Sequence, residues 1–218
     1  MRHKRLTVFA AAGAVIAATA LGASSATALA MPQSGTFVAD MAEPDGNTMA
    51  LGIAVEGEMV TAYATDGTSD EAAFVGTQEN GNMTLISPYQ DQLTATFDGN
   101  AINGTITMNE PNAQPHNFSA SLVSAPAGIY TAAAGDSRTT WVVKPNQTMV
   151  GMMMPNSKRD REVIDQINAE QQEFKDKVRQ MRLERQMQPA PQMTYGTWQT
   201  TMNGTTMTAV PVTGGMTL

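Results

Sequence analysis

Between residues 35 and 123, short runs of alternating apolar and polar residues are broken repeatedly by Glu-Gly, Asp-Gly or Asn-Gly pairs. Alternation with period two puts one set of side chains on each face of a strand, and a helix cannot satisfy it. Glycine after Asp or Asn supplies the positive φ of a tight hairpin turn. At roughly 8–12-residue spacing, such turns specify an antiparallel sandwich or barrel. Met49, Leu51, Ile53 and Val55 share one face before Glu56-Gly57. Val60, Ala62 and Ala64 follow, then Asp66-Gly67, a strand around Phe74, and Asn80-Gly81. Leu93, Ala95 and Phe97 precede Asp98-Gly99, and Ile102, Ile106, Phe118 and Ala120 continue the pattern. The expected fold is mainly β: an antiparallel meander of about ten strands, with sandwich and barrel both open.

Later segments extend the same reading. Ile129–Ala132, Trp141–Lys144 and Thr148–Gly151 read as strands, and Asn203-Gly204 as the turn of a last hairpin. In that hairpin Trp198 falls opposite Ala209 and Thr200 opposite Met207, which puts Trp198, Met202 and Met207 on one face. The expected organisation is a leader at 1–30, a β-rich body at 31–155, a charged helix at 156–188, and a C-terminal hairpin with a short tail at 189–218, packed back on the body.

The leader has a basic start, Met1-Arg2-His3-Lys4-Arg5, and an uncharged Ala-rich run, and it ends in Ala28-Leu29-Ala30. That is the pattern of a cleaved export signal, so the mature chain is expected to start at Met31 and to keep no integral membrane span. The expected location is secreted or cell-envelope associated. The whole chain has 13 basic and 20 acidic residues. Arg2, Lys4 and Arg5 leave with the leader, so the mature acidity is greater, and it disfavours nucleic acid as a partner. There is no cysteine, so disulfides and thiolate sites are excluded. The two histidines are His3 and His116, too few for most triads and for His-rich zinc sites. His116 is expected in a polar loop, and no Gly-x-Ser-x-Gly occurs. Asp40, Glu43, Asp45 and Asn47 miss the spacing of a helix-flanked calcium loop. No enzyme and no cofactor is expected.

Phe74-Val75-Gly76, Gly81-Asn82-Met83-Thr84-Leu85, Gly104-Thr105, Asn117-Phe118-Ser119-Ala120, Pro126-Ala127-Gly128-Ile129-Tyr130 and Trp141-Val142-Val143 occur in that order. This succession resembles a group of uncharacterised exported β-rich proteins from high-GC Gram-positive bacteria. The resemblance covers most of 35–151 and, faintly, 205–212. Its motifs are turn and core positions, so it implies a fold and no functional residue.

Residues 156–188 differ abruptly. Eight of the ten mature basic residues lie there, including Arg179, Arg182 and Arg185. Asn156 or Ser157 can cap a helix start and Pro189 can stop it. Its thin apolar stripe contains Val163, Ile164, Ile167, Phe174, Val178 and Met181. A helix laid on the body is one arrangement; the other uses Ile167, Phe174, Val178 and Met181 to bind a protein partner or a second copy. The body carries its 13 acids from Asp40 to Asp136 against only Arg138 and Lys144. Solubility of a β-protein is the favoured explanation, and electrostatic docking of the helix the rival.

Methionine is the unusual inventory, at 17 residues. Met49, Met59, Met83, Met108, Met202 and Met207 are expected in core roles. Met149, Met152, Met153 and Met154 have thioether spacing compatible with Cu(I), although a strand there divides them between two faces. The functional expectation is an exported, non-enzymatic binding or structural module whose partner is a protein or an apolar ligand. The alternatives are a carrier holding an apolar ligand in a Met-lined barrel, and Met-based Cu(I) binding.

Overall fold

The computed structural model of the chain describes residues 34–42, 46–165 and 172–218. Eight strands run antiparallel in chain order: β1 (Gly35–Ala42), β2 (Thr48–Glu56), β3 (Met59–Thr65), β4 (Glu71–Glu79), β5 (Asn82–Ile86), β6 (Gln92–Phe97), β7 (Ala101–Thr107) and β8 (His116–Val123). β8 returns to β1 and closes a barrel, with Thr36 opposite Val123 and Val38 opposite Ser121. The meander is therefore a barrel and not a sandwich. Its hairpin turns adopt the expected backbone: Asn80 and Gly81 have φ of 51° and 80°. The alternating apolar residues point inward as one buried cluster, from Phe37 and Met49 to Ile106 and Phe118. On the outside, Thr84, Thr94 and Thr105 lie side by side across β5, β6 and β7.

The remaining strands form no part of the barrel. They are β9 (Gly128–Ala134), β10 (Ser137–Val143), β11 (Met149–Met154), β12 (Gln188–Pro189), β13 (Gln199–Met202), β14 (Thr205–Thr208) and β15 (Val210–Pro211). A second sheet has the order β12-β11-β10-β9-β15, and β13 and β14 form a separate hairpin. The expectation of about ten strands thus undercounts. The short edge strands β12 and β15 carry no periodicity of their own, since each exists only as a partner for a longer neighbour. In the hairpin Thr200 lies opposite Met207, the register read from Asn203-Gly204.

Three layers stack outside the barrel lumen. β2 presents Ala50, Gly52 and Ala54 outward, and this small-residue stripe lets the second sheet come close. Ile129 and Val142 pack there with Val38 and Tyr63. The sheet's other face carries Tyr130, Trp141 and Val143, and it is covered by Met193, Met202 and Ala209. Tyr130 stacks on Trp198 with ring centroids 4.4 Å apart. The Trp141 indole donates to the Pro191 carbonyl at 3.2 Å.

Within the helical segment expected over 156–188, the described residues form α1 (Ser157–Asp165) and α2 (Gln172–Glu184), and residues 166–171 lie outside the described residues. α2 ends before Pro189 because the chain there extends as β12, with Met152 opposite Pro189 and Met153 opposite Gln188.

A side chain at Gly52 would be driven into the second sheet, since a Cβ there would lie 2.4 Å from Ile129 Cγ1. Gly52→Val should therefore lower stability by about 1–3 kcal/mol, the usual cost of overpacking. Urea unfolding checks this, and an unchanged midpoint would show that the two layers separate without cost.

Candidate functional site

Up-and-down connectivity puts the β3–β4, β5–β6 and β7–β8 turns at one end of the barrel. α2 lies across all three. Arg182 pairs with Asp70 from the first turn, with Asp91 from the second at 3.5 Å, and with Glu110 from the third at 3.3 Å. Arg185 donates to the Glu71 carbonyl at 2.8 Å and stands 4.9 Å over the Tyr89 ring. Arg179 Nε donates to Asn109 Oδ1 at 3.2 Å. Phe174 and Val178 pack against Tyr89 and Met181. The acids of the β-body therefore serve to dock the helix, in addition to any role in solubility.

Burial separates these charges from water, which makes each partner matter more. The Arg182 side chain is 1% exposed and that of Asp91 0%. Desolvation works against the Arg182 charge, but Asp91, Asp70 and Glu110 outweigh it and raise its pKa. Burial pushes Asp70 up to about 6 against the opposing pull of Arg182, with Glu110 adding to the rise. Asp66, in the same turn, behaves oppositely. Partial burial works against its charge, but the Thr68 hydroxyl and the Thr68, Asp70 and Ser69 amides donate to its carboxylate and hold it at about 2. That web of bonds shapes the turn that offers Asp70 and Glu71 to the helix.

Glu71 connects this end to the second sheet. Its Oε2 accepts from the Tyr63 hydroxyl at 2.7 Å and its Oε1 from Arg138 at 2.9 Å. Burial, reinforced by the Glu71 charge, raises the Tyr63 pKa well above the ordinary phenol range, so the ring stays a donor. Arg138 also donates to Thr140 at 3.0 Å, while its buried Nε has no hydrogen-bond partner. Arg138 then lines a groove of about 500 Å³ between β9, the start of α1 and the C-terminal segment. Ala132, Met207, Val210, Met216 and Leu218 form its apolar side, and Thr131, Ser157, Lys158 and Arg161 its polar side. Grooves of roughly 300–1,000 Å³ with few polar groups are of the kind that binds small molecules.

The residues singled out in the sequence are dispersed. β11 alternation puts Met152 and Met154 on one face and Met149 and Met153 on the other. Met152 and Met154 are buried, and Met149 and Met153 pack partly buried on the Trp141 side. The four thioethers thus do not converge on one point. Of the candidate partner contacts, Phe174 and Val178 are instead buried with this chain's own Tyr89 packed against them, Met181 stays partly buried beside them, and Ile167 lies outside the described residues. The physical reason is the ionic docking of Arg182 and Arg185, which brings that face down on the barrel. His116 opens β8 opposite Ile106 and does not sit in a loop. Asp40 belongs to β1 and pairs with Lys144; Glu43 and Asp45 lie outside the described residues, as does the leader. Among the described residues, no group of three or more His, Cys, Asp or Glu is arranged to hold a metal. No described helix is long and apolar enough to cross a membrane.

Glu71 and Arg138 were missed as a pair. A signal existed: Arg138 is one of two basic residues in an acidic β-body, and it falls inside a strand-like run, where a charge needs a partner.

Arg182→Met would leave Asp91 buried without its counter-charge, at a cost of about 3–5 kcal/mol. Urea unfolding measures this, and a loss under about 1 kcal/mol would mean that the ion pairs do not hold α2 in place. Asp70 makes a separate pH prediction. Its folded pKa, about 6, lies above its ordinary value of 3.8, so between those values the folded chain holds a proton that the unfolded chain releases. This group's contribution to stability therefore rises as pH falls through that window, by up to about 1.4 kcal/mol per pH unit. Asp70→Asn should remove that component, and an unchanged slope of unfolding free energy against pH refutes it.

No protein family, curated protein or solved structure is matched by this chain.

Proposed function

We propose that the chain is an exported, non-enzymatic binding module in which the closed barrel is a filled scaffold and the groove beside Arg138 is the ligand surface. The observation that carries this reading is the barrel interior, occupied by one continuous cluster of 22 buried apolar side chains. Eight-stranded barrels are of the size that side chains can fill. Met41, Met49, Met83 and Met108 are part of that filling. The carrier idea thus keeps its apolar ligand but moves it from the barrel to the outer groove, where Met207 and Met216 supply adaptable apolar surface. Copper is not carried forward, because β11 divides its sulfurs between two faces. Export is supported by the basic, Ala-rich leader ending at Ala30.

Native mass spectrometry of the protein recovered from its secreting host tests the reading. The expected species is a chain beginning at Met31 that carries a non-covalent adduct, and Met207→Asp should lose the adduct. A chain that retains the leader argues against export. An adduct that survives Met207→Asp and departs only when the barrel unfolds would move the ligand back inside.

A further inference from the structure

The groove is unusual in sign as well as shape. Among its described lining residues are Arg138, Lys158 and Arg161 and no Asp or Glu, in a β-body where 13 acids face only Arg138 and Lys144. α1 begins at Ser157 on the same side, with Asp160 in its first turn. Arg138 commits one guanidinium nitrogen to Glu71 and one to Thr140, leaving the buried Nε without a hydrogen-bond partner. Arg161 already has partners in this chain, and Lys158 is exposed. The other side is apolar and partly open, with Val210 47% exposed and Met207 and Met216 half-buried.

A cationic end joined to an apolar trough is complementary to one class of small molecule. We propose that the groove binds a single-chain amphiphile with an anionic head, a carboxylate, sulfate or phosphate. The head sits by Lys158 and Arg138, and the tail runs along Met207, Val210 and Met216. This inference rests on the groove as the ligand surface. A free anion would leave the apolar side wet, and a cationic or neutral amphiphile would bring no counter-charge to Lys158.

Calorimetric titration of the full secreted chain with dodecanoate, below its micelle concentration, tests the proposal. Dodecyltrimethylammonium, dodecyl maltoside, acetate and inorganic phosphate form the comparison arms. Dodecanoate should bind one to one, at least roughly tenfold tighter than the cationic and neutral amphiphiles, and acetate and phosphate alone should give no saturable binding. Lys158→Glu should weaken dodecanoate by roughly tenfold or more, and Met207→Asp likewise. Glutamate in the first turn of α1 suits the helix, so Lys158→Glu should keep its fold, which circular dichroism verifies. Equal binding of the cationic amphiphile, tight phosphate binding without a tail, or dodecanoate affinity unmoved by both substitutions overturns the proposal. If dodecanoate fails to bind while the native adduct is still lost in Met207→Asp, the ligand class falls and the groove stands. If the adduct persists in Met207→Asp, the groove itself falls.

Discussion

Closure of β1 on β8 is the constraint from which the rest of the structure follows. Once Phe37 lies opposite Leu122 and Val38 opposite Ser121, each barrel strand is paired on both sides, with β4 and β5 joined by the shortest ladder, at Gln78–Met83 and Glu79–Asn82. Eight strands enclose only enough space for their own inward side chains. The inward positions of this chain are Phe, Met, Leu, Ile, Val and Ala, and they fill it. Everything the chain adds after Val123 must then pack on the outside, against one wall or across one end.

Two surfaces of the barrel receive those additions, and their chemistry differs. The β2 wall is a strip of small residues, and the second sheet meets it through apolar contact, Ile129 seated on Gly52. The end bearing the β3–β4, β5–β6 and β7–β8 turns is acidic, and α2 meets it through Arg179, Arg182 and Arg185. Glu71 joins the two arrangements, accepting from Arg182 and Arg185 with its backbone and from Tyr63 and Arg138 with its side chain. The groove between β9, α1 and the C-terminal segment starts where this polar line emerges, at Arg138. Helix docking and groove electrostatics thus share one carboxylate.

Local rules carried the strands of the barrel well. Alternation set the inward face of β2, β3, β6 and β7, and Asn80-Gly81 and Asn203-Gly204 set the β4–β5 and β13–β14 hairpins, because side-chain direction and turn geometry are properties of a few neighbouring residues. The same rules were silent on β12, which depends on Met152 across the sheet, and they ran the last hairpin on through 205–212, where Val210–Pro211 pairs instead with Thr131 and Tyr130 of β9 as β15. The Arg138–Glu71 pair spans 67 positions and has no local trace beyond an isolated base in an acidic stretch. For the candidate site, the methionine content of the groove was visible as composition, but its cationic end was not, since Arg138, Lys158 and Arg161 come from two elements that only packing brings together.

From sequence alone follow the β-rich class, the hairpin turns, the absence of cysteine chemistry and the sharp division between an acidic body and a basic helical segment. Each rests on residue identity or short-range geometry. Tertiary structure decided that the meander closes, that α2 spans the barrel's acidic end, that Phe174 and Val178 face Tyr89 of the same chain, and that the Met149–Met154 thioethers diverge. Those outcomes depend on which distant surfaces meet, through burial of apolar area and of paired charge, and neither quantity is defined until the chain has folded back on itself.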